Sequence, residues 1–562
     1  MPHTNTIEIS SDQPTTTTAM SFRDQLHALY APHQKPGHLS FTYGTAGFRT
    51  LASTLDSVVF TVGILASLRS KYLNGQTIGI MITASHNPPQ DNGIKLIDPQ
   101  GEMLEASWEA YATKLANLGT EEEVFAEVER LAQNLGIDLN DGVSGNVIIA
   151  RDSRESGLAL TKATIDGLKT MGTKVTDYQL LTTPELHYLV KCINTQGAYG
   201  EVSEVGYYKK LSTAFRNIYE NFVQSDSKIQ ITIDAANGIG GPKAETLFTE
   251  YLSQYVDFQL VNNQYQDPQA LNVGSGADFV KTNQKLPNNI TPEPLKLYAS
   301  FDGDADRVVF YYVDSNSVFK LLDGDKIATL LAGFFKDLVS KSPAKLSESC
   351  QIGVVQTAYA NGSSTNHITD VLQVPVVCTP TGVKHLHHEA AKFDIGVYFE
   401  ANGHGTVLFS ESLLSLLQTI EPSTPQEQRS IQTLIEISNL INQTVGDAIS
   451  DLLTVLIVLS IKQWTPDNWD ESYTDLPNRL AKVIVPDRHV FKTINAERQL
   501  TSPKGLQLQI DDAVSKYNGG RSFVRASGTE DAVRVYAEAA SKSECEELSK
   551  EVCELVKSSV GL

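Results

Sequence analysis

The sequence has few cysteines, no long apolar run and a shortage of positive charge. Its five cysteines follow no metal-ligand spacing and form no even framework of pairs, which is typical of a reduced, intracellular protein. The longest apolar run, residues 452–461, is well short of the ~20 residues that cross a bilayer. An apolar signal region is also absent near the amino terminus. We therefore expect a cytoplasmic protein that is not embedded in a membrane.

The charge balance restricts the partners further. Lys and Arg total 45 against 66 Asp and Glu, a net charge of −21. Such a field opposes binding to nucleic acid or to an anionic membrane surface. An anionic small molecule must then be held by local clusters of arginine and lysine. The sequence leaves the oligomeric state open.

The chain is long enough for several domains, and its composition is that of a globular protein. Strand and helix signals alternate through most of it, which predicts α/β layers with mixed or mainly parallel sheets. The last part is typical of a smaller α+β domain. The predicted divisions are a disordered tail at 1–20 and domains at 21–198, 199–318, 319–448 and 449–562.

The stretch from Ile80 to Ile97 joins an apolar strand to a stiff turn. The β-branched run ends at ASHNPP, where two prolines restrict the backbone and Ser85 is followed by His86. A second short strand carries Lys95. A hydroxyl on such a turn can carry a transferable group, although a plain polar turn has the same pattern. No G-x-S-x-G elbow or catalytic triad motif accompanies it, which disfavours a serine hydrolase.

Three aspartates, Asp302, Asp304 and Asp306, lie between two apolar strands in LYASFDGDADRVVF. Like charges this close repel one another unless a cation lies among them. An all-carboxylate ligand set is the kind that Mg²⁺ prefers. A calcium EF-hand does not fit, because Arg307 and Val313 stand where it needs Gly and Glu. The sequence therefore predicts a magnesium site.

Two further loops have the composition of ligand sites. The loop RASGTE, with Arg534 shortly after it, combines arginines, hydroxyls and a glycine, which suits a phosphate group. The loop EANGHG offers a carboxylate, an amide and an imidazole, which suits sugar hydroxyls. Each of these loops alone is as typical of a polar surface turn.

Four motifs taken together, TASHNPPQDNGIK, FDGDADR, EANGHG and RASGTEDAVRVYAE, resemble those of the α-D-phosphohexomutase superfamily. They lie in that order within residues 43–538, with one motif in each predicted domain. The resemblance implies an α/β fold of four domains around a central cleft. In chain order, these domains would carry the phosphoserine, bind the metal, bind the sugar and bind the phosphate. It also implies a phosphoserine enzyme that uses Mg²⁺.

The resemblance implies roles for particular residues, position by position. Catalysis falls to Ser85, His86, Lys95, Arg49 and Arg307, with the general base left open between Lys95 and His86. Mg²⁺ falls to Ser85, Asp302, Asp304 and Asp306. The sugar phosphate falls to Gly382, Glu400, Asn402, His404, Arg525, Ser527, Gly528, Thr529 and Arg534.

Two departures from the common pattern indicate a branch within the superfamily. In most members, segments like RDSRESG and Thr-Pro-Glu precede the serine motif, whereas here Ser85 comes first. Asn402 stands where many members carry serine, and its amide suits a 2-N-acetyl group. Both features resemble the branch that interconverts N-acetylglucosamine 6-phosphate and 1-phosphate and supplies UDP-N-acetylglucosamine synthesis.

Three alternatives remain. A glucose, mannose or glucosamine phosphate mutase has the same motifs. A haloacid-dehalogenase-like phosphatase would use Asp302 as its nucleophile and leave Ser85 idle. A catalytically inactive mutase-like binding protein is disfavoured, because every motif residue that the chemistry needs is present.

Overall fold

The computed structural model describes residues 7–9, 20–139, 143–223, 227–527 and 531–562. The chain divides into two compact units. The amino-terminal unit comprises Met1–Leu321 and Asn439–Thr454, and the carboxyl-terminal unit comprises Leu322–Ser438 and Val455–Leu562.

The first sheet of the amino-terminal unit has six strands in the order β1-β6-β5-β3-β4-β2. The three central strands β3, β5 and β6 run parallel, while β1, β2 and β4 pair antiparallel to their neighbours. Its strands are β1 (Ile7–Ile9), β2 (Phe48–Leu51), β3 (Thr77–Ile82), β4 (Asp91–Ile97), β5 (Asn146–Arg151) and β6 (Lys174–Leu180). Because β3 is buried along its whole length, the residues that follow it start from a fixed position.

Helices accompany this sheet, and α2 is its main packing element. The sequence of α2 is apolar on nearly every face, so it is buried almost throughout and packs against α5. The helices are α1 (Phe22–Leu29), α2 (Asp56–Tyr72), α3 (Ala106–Ala116), α4 (Glu121–Leu135), α5 (Gly157–Thr170), α6 (Thr183–Asn194) and α7 (Glu204–Phe222). Single helical turns occur at Ala31–His33 and Ala52–Thr54.

The predicted disordered tail is wrong for residues 7–9. These residues form β1 and pair antiparallel with β6, with Ile7 opposite Asp177 and Ile9 opposite Val175. The edge of β6 offers backbone groups that a short extended segment satisfies. Residues 1–6 and 10–19 lie outside the described residues.

The second sheet of this unit has five strands in the order β11-β10-β9-β7-β8. Its strands are β7 (Ile229–Asp234), β8 (Val256–Val261), β9 (Tyr298–Phe301), β10 (Val308–Val313) and β11 (Phe319–Leu322). Its helices are α8 (Gly240–Thr246), a turn at Leu247–Tyr251, a turn at Pro268–Ala270, and α9 (Ala277–Asn283). The buried antiparallel pair β9–β10 fixes both ends of the aspartate loop, as the sequence predicts.

The carboxyl-terminal unit contains a mixed sheet in the order β13-β12-β14-β15. β12 runs parallel to β13 and β14, and β15 returns antiparallel to β14. The elements up to residue 470 are α10 (Gly324–Ser340), α11 (Ala344–Ser347), β12 (Ile352–Thr357), α12 (Gly362–Asn366), a turn at His367–Val371, β13 (Val376–Thr379), α13 (Val383–Ala390), β14 (Ile395–Phe399), β15 (Gly405–Phe409), α14 (Glu411–Thr419), α15 (Pro425–Leu440), α16 (Ala448–Lys462) and α17 (Pro466–Asp470). Helices α15 and α16 contribute residues to both units.

The last part of this unit is an antiparallel sheet in the order β16-β20-β19, packed against α18 and α19. A separate hairpin joins β17 to β18. The elements are β16 (Asn478–Ile484), a turn at Arg488–Val490, β17 (Lys492–Ile494), β18 (Gln499–Ser502), α18 (Leu506–Val514), β19 (Arg521–Ala526), β20 (Ala532–Glu538) and α19 (Lys542–Ser559). The predicted mixed α/β layers and the smaller α+β part are thereby confirmed. Across the described residues, no helix has the length and hydropathy needed to cross a membrane.

Candidate active site

Ser85 lies in a strained, fully buried turn after β3. Its φ of 52° is in the left-handed region, which non-glycine residues seldom adopt outside functional or tightly held turns. The Ser85 N–H donates to the hydroxyl of Thr83 at 3.0 Å. The Ser85 hydroxyl donates to Oδ2 of Asp302 at 2.5 Å, while its oxygen lies 3.5 Å from Nδ1 of His86. The structure therefore brings two of the predicted site motifs into direct contact.

Arg154 holds this turn, and the sequence reasoning did not assign it a role. Its side chain is fully buried and donates to four backbone carbonyls of the serine loop, at residues 85, 87, 88 and 91, over 2.7–2.9 Å. Its Nε also donates to Oδ2 of Asp152 at 3.0 Å. The planar guanidinium suits this set of acceptors in a way that a lysine ammonium does not. Arg154 therefore shapes the loop that presents Ser85.

Replacing Arg154 with alanine is expected to lower the free energy of unfolding by about 3–5 kcal/mol, because it strands the buried Asp152 carboxylate. Turnover should fall with it, since the Ser85 loop loses its support. Arg154→Lys should recover part of the stability and little of the turnover. Arg130→Ala removes a half-exposed ion pair and should cost at most about 1 kcal/mol. Urea unfolding measures the stability of each variant. Equal losses of stability for the Arg130 and Arg154 variants would contradict this role of Arg154.

A second support comes from the element before α9. Asn272 donates through Nδ2 to the carbonyls of Ser85 at 2.9 Å and Asn87 at 3.1 Å. The aspartate loop approaches from the same side: a Cβ on Gly303 would lie 2.6 Å from the Ser85 carbonyl oxygen. Only glycine fits at 303, so the close approach of the two loops depends on that residue.

The three aspartates form a buried cluster on the loop between β9 and β10. One carboxylate oxygen from each lies within 4.8 Å of the others. Oδ1 of Asp302 accepts from the N–H groups of Asp306 and Arg307 at 3.1 and 3.2 Å. Burial, together with the charges of Asp306 and Asp304, raises the pKa of Asp302 well above its ordinary value. The fold thus concentrates negative charge that calls for a compensating cation.

Asp304 is positioned by the amino-terminal end of α6. The Thr183 hydroxyl donates to Oδ2 of Asp304 at 2.5 Å, and the Thr183 N–H donates to the Asp304 carbonyl at 3.1 Å. Its other oxygen, Oδ1, is buried and has no hydrogen-bond partner among the described residues. An orphaned buried carboxylate oxygen in an all-carboxylate cluster fits a hard divalent cation such as Mg²⁺.

Cationic side chains surround the cluster. Nζ of Lys95 lies 3.5 Å from Oδ2 of Asp304 and 3.4 Å from Oδ2 of Asp306. Nε of Arg307 lies 3.8 Å from Asp302 and 3.7 Å from Asp306. Lys95 lies on β4 opposite Met81 of β3, as the predicted second strand requires.

His86 and Arg49 are affected by the same positive charges. The charge of Arg307, followed by burial and the charge of Arg49, lowers the pKa of His86 to about 2. Burial and then Arg307 lower the pKa of Arg49, opposed by the three aspartates. His86 is therefore a neutral imidazole at physiological pH and a very weak base in this setting.

Adding Mg²⁺ is expected to stabilise the protein more at pH 8 than at pH 5.5. Because the folded-state pKa of Asp302 is raised, the metal-free fold loses stability as pH rises above the ordinary carboxylate range of about 4. Mg²⁺ binds the deprotonated carboxylates, so the stabilisation that Mg²⁺ adds increases as pH rises. At a hundredfold excess over its dissociation constant, the gain is about 2.7 kcal/mol.

Thermal melts with EDTA or Mg²⁺ measure this effect, with choline chloride at matched ionic strength as the control. A shift of equal size at both pH values, or a shift also produced by choline chloride, would contradict a carboxylate site for the metal.

In the carboxyl-terminal unit, the predicted sugar-binding residues lie in the hairpin between β14 and β15. The Glu400 N–H donates to the His404 carbonyl, closing the loop at 2.9 Å. The Asn402 amide donates to Oε2 of Glu400 at 3.3 Å, and the His404 N–H donates to Oδ1 of Asn402 at 2.9 Å. A Cβ on Gly324 would lie 1.9 Å from the Glu400 carbonyl oxygen, so glycine is required there. The three predicted sugar ligands therefore form one braced loop.

The predicted phosphate arginines lie side by side. Arg525 on β19 is directly opposite Arg534 on β20, which places both side chains on one face of the sheet. Ser527 is buried, and its N–H donates to the Ala532 carbonyl at 2.8 Å. Gly528 and Thr529 lie outside the described residues.

Arg525 has a carboxylate partner that the sequence reasoning missed. Nη1 of Arg525 donates to both oxygens of Glu497, at 3.0 and 3.1 Å. Glu497 also accepts from the N–H of Thr381 at 3.0 Å and from its hydroxyl at 2.5 Å. Thr381 precedes Gly382, a predicted substrate residue whose φ is 126°. The predicted phosphate arginine and the Gly382 loop are thus linked through Glu497.

Family models match most of the chain. They are phosphoglucomutase/phosphomannomutase alpha/beta/alpha domain I at 62–123 and 117–200, phosphoacetylglucosamine mutase AMG1 domain II at 199–309 and domain III at 323–464, and the phosphoglucomutase/phosphomannomutase C-terminal domain at 480–555.

Full-length relatives are similar over nearly the whole chain. The Candida albicans phosphoacetylglucosamine mutase is 56% identical over 549 residues, which are 96% of this chain and 100% of the relative. The human phosphoacetylglucosamine mutase is 49% identical over 524 residues, 93% of this chain and 95% of the relative. The crystal structure of the Aspergillus fumigatus N-acetylphosphoglucosamine mutase with GlcNAc-6P and magnesium is 50% identical, has a TM-score of 0.91 and covers 97% of this chain and 100% of that one.

The fold, together with the contact between the serine turn and the aspartate cluster, defines a member of the α-D-phosphohexomutase superfamily. This confirms the resemblance inferred from four sequence motifs. Within that superfamily, the chain belongs to the phosphoacetylglucosamine mutase family.

Proposed function

We propose that this protein interconverts N-acetylglucosamine 6-phosphate and N-acetylglucosamine 1-phosphate through a phosphoserine at Ser85. The observation that carries the proposal is the Ser85 hydroxyl, 2.5 Å from Asp302 within a buried three-carboxylate cluster. A phosphate on that oxygen would lie among the metal ligands and the cations that neutralise it. Family membership supports the same activity, since the relatives carry that name.

The reaction has two half-reactions that mirror one another. In the first, the bond between phosphorus and Ser85 Oγ breaks and a bond from phosphorus to sugar O1 forms. The O1 proton passes to a base, and the product is the 1,6-bisphosphate. In the second, the bisphosphate has turned over, its 6-phosphate returns to Ser85 Oγ, and O6 regains a proton. N-acetylglucosamine 1-phosphate is released.

The charged side chains around Ser85 suit this transfer. Arg307 and Arg49 offset the negative charge of the moving phosphoryl group, which spreads over its oxygens in the transition state. The low pKa of His86 makes its imidazole a very weak base, and Lys95 accepts the O1 proton only as the neutral amine.

We assign the metal site to Asp302, Asp304, Asp306 and the phosphorylated Ser85. When bound by these residues, Mg²⁺ would neutralise and orient the phosphoryl group. The donor set and the orphaned oxygen of Asp304 support this assignment. Hydrogen bonds hold two of these carboxylates in position: the Thr183 hydroxyl donates to Asp304, and a backbone amide donates to Asp302.

The proposed sugar- and phosphate-binding residues belong to the carboxyl-terminal unit. We propose that Glu400, Asn402 and His404 bind the sugar, with the Asn402 amide facing the N-acetyl group. Gly382, Arg525, Ser527, Gly528, Thr529 and Arg534 are proposed to bind the non-reacting phosphate. Because the bisphosphate binds by each end in turn, this second set must accept either phosphate. The cytoplasmic location and a place before UDP-N-acetylglucosamine synthesis remain predictions from the sequence.

The names of the relatives favour this activity over a glucose, mannose or glucosamine phosphate mutase. A phosphatase that uses Asp302 as nucleophile is disfavoured because Asp302 accepts hydrogen bonds from two backbone amides and from Ser85.

A substrate panel tests the proposal. With Mg²⁺ and a trace of sugar bisphosphate, we expect faster turnover of N-acetylglucosamine 6-phosphate than of glucose or mannose 1-phosphate. The Asn402→Ser variant should narrow that preference, since it removes the amide proposed to face the acetyl group. Faster conversion of the unacetylated sugars by the wild-type enzyme would overturn the substrate assignment.

A further inference from the structure

Glu497 lies on a conformationally unusual turn between β17 and β18. Asn495, Ala496 and Glu497 have φ values of 54°, 53° and 66°, so three consecutive non-glycine residues are left-handed. L-residues disfavour this conformation, and runs of it persist only where the surroundings impose it. Arg498 braces the turn by donating to the carbonyl and side-chain oxygen of Asn495 at 3.1 and 2.7 Å. The turn therefore holds the Glu497 side chain in one place.

The partners of Glu497 are those that a bound phosphate would choose. Its carboxylate accepts from a guanidinium, a backbone N–H and a hydroxyl, supplied by Arg525 and Thr381. Guanidinium, amide and hydroxyl donors together are the usual set around a phosphate group. Both members of the ion pair are largely buried, with 21% of each side chain exposed.

The ion pair does not use every donor of Arg525. Its Nη1 faces Glu497, whereas its Nε is buried and has no hydrogen-bond partner among the described residues. Arg525 is therefore already charge-paired at one nitrogen while another donor is unused. A phosphate approaching Arg525 meets a guanidinium whose charge Glu497 offsets.

We propose that Glu497 lowers the affinity of this site for phosphate by competing with substrate phosphate for Arg525 and the Thr381 amide. This inference rests on the proposed function of Arg525 as a phosphate ligand. In the absence of phosphate, the carboxylate keeps these donors in place. When phosphate binds, the Glu497 carboxylate makes phosphate binding weaker, either by repelling the phosphate or by competing with it for the same donors.

A weakened hold suits a mutase that proceeds through a bisphosphate. The intermediate has to leave Arg525 by one phosphate and return by the other within each cycle. A site that bound phosphate too tightly would slow that exchange, because stronger binding of the intermediate raises the free-energy barrier to its release. Glu497 thus trades phosphate affinity for turnover.

Titration of inorganic phosphate into the full-length protein tests the proposal without turnover. Glu497→Gln keeps the shape of the side chain and removes its charge, so we expect it to bind phosphate about five- to tenfold tighter. The double variant Glu497→Gln/Arg525→Ala should gain less over Arg525→Ala than Glu497→Gln gains over wild type, because part of the gain passes through Arg525. Glu554→Gln makes the same charge change on exposed α19 and should leave the affinity unchanged.

Kinetics supply the second measurement. Glu497→Gln should lower KM for N-acetylglucosamine 6-phosphate and also lower kcat, whereas a merely misplaced Arg525 would raise KM. Unchanged or weaker phosphate binding by Glu497→Gln, in protein with a wild-type melting profile, would overturn the proposal. If that variant fails to fold, Glu497→Asp serves instead: its shorter side chain loosens the grip on Thr381 and should tighten phosphate binding by a smaller factor. A wild-type enzyme that binds phosphate as described but does not turn over N-acetylglucosamine 6-phosphate would refute the proposed function alone.

Discussion

Replacing Ser85 with alanine is expected to lower turnover of N-acetylglucosamine 6-phosphate by at least about 10⁴-fold. The hydroxyl oxygen is the atom proposed to carry the phosphoryl group between half-reactions, and the neighbouring Thr83 hydroxyl already accepts from the Ser85 N–H and donates to Asp152. The fold should persist, because the change removes one buried hydroxyl whose only donated bond goes to Asp302. Steady-state kinetics and a thermal melt measure the two effects separately.

The matched control is Ser107→Ala. Ser107 is an exposed serine of the same unit, with its hydroxyl donating to Glu105, and its loss should change neither turnover nor stability. Turnover by Ser85→Ala within tenfold of wild type would show that Ser85 is not the phosphate carrier.

Replacing Asp302 with asparagine is expected to move activity and metal-free stability in opposite directions. Turnover should fall by about 10³-fold or more, because a proposed metal ligand, which is also the hydrogen-bond partner of Ser85, is lost. Metal-free stability should rise, because the change removes the ionisable group whose pKa is raised by burial and by the charges of Asp306 and Asp304. The amide oxygen can still accept from the Asp306 N–H, so the loop keeps its shape.

The control for this variant is Asp257→Asn, which removes an exposed carboxylate bonded to Gln230 in the same unit. It should leave turnover and the Mg²⁺ response unchanged. Urea unfolding in EDTA, compared with unfolding in Mg²⁺, gives both stabilities. A metal-free Asp302→Asn protein that is less stable than wild type would contradict the interpretation of the cluster as a set of mutually repelling carboxylates.

The central features of the site could be predicted because they are local in sequence. The serine turn follows a strand whose apolar residues are contiguous, and the three aspartates lie within five residues between two apolar strands. The sugar loop is likewise a short hairpin between adjacent strands. In each case a contiguous pattern specifies both the element and the side chains that it presents.

The residues that support the site could not be predicted, because their contacts join distant parts of the chain. Arg154 reaches Ser85 across 69 residues, Asn272 across 187, and Thr183 reaches Asp304 across 121. A single sequence gives no register between such segments. The segment RDSRESG was recognised in the sequence, but the loop that its Arg154 would hold was not.

Two further features depended on the fold. Glu497 stands in a turn with no motif, and only the folded hairpin shows that it meets Arg525. The short strand Ile7–Ile9 lies in a Ser- and Thr-rich stretch whose composition is typical of disorder, and its pairing partner is β6 rather than a neighbour in sequence. Composition predicts disorder for the whole stretch and does not identify the short segment that pairs with the edge of the sheet.

A single-turnover experiment with enzyme carrying ³²P on Ser85 tests whether this serine carries the phosphoryl group to the sugar. After rapid mixing with N-acetylglucosamine 6-phosphate and Mg²⁺, the account predicts that label leaves Ser85 at least as fast as steady-state turnover and appears first in the 1,6-bisphosphate. Peptide mapping of the starting enzyme should locate the label on Ser85. Label on Asp302, or its release as inorganic phosphate without passing to the sugar, would contradict the account.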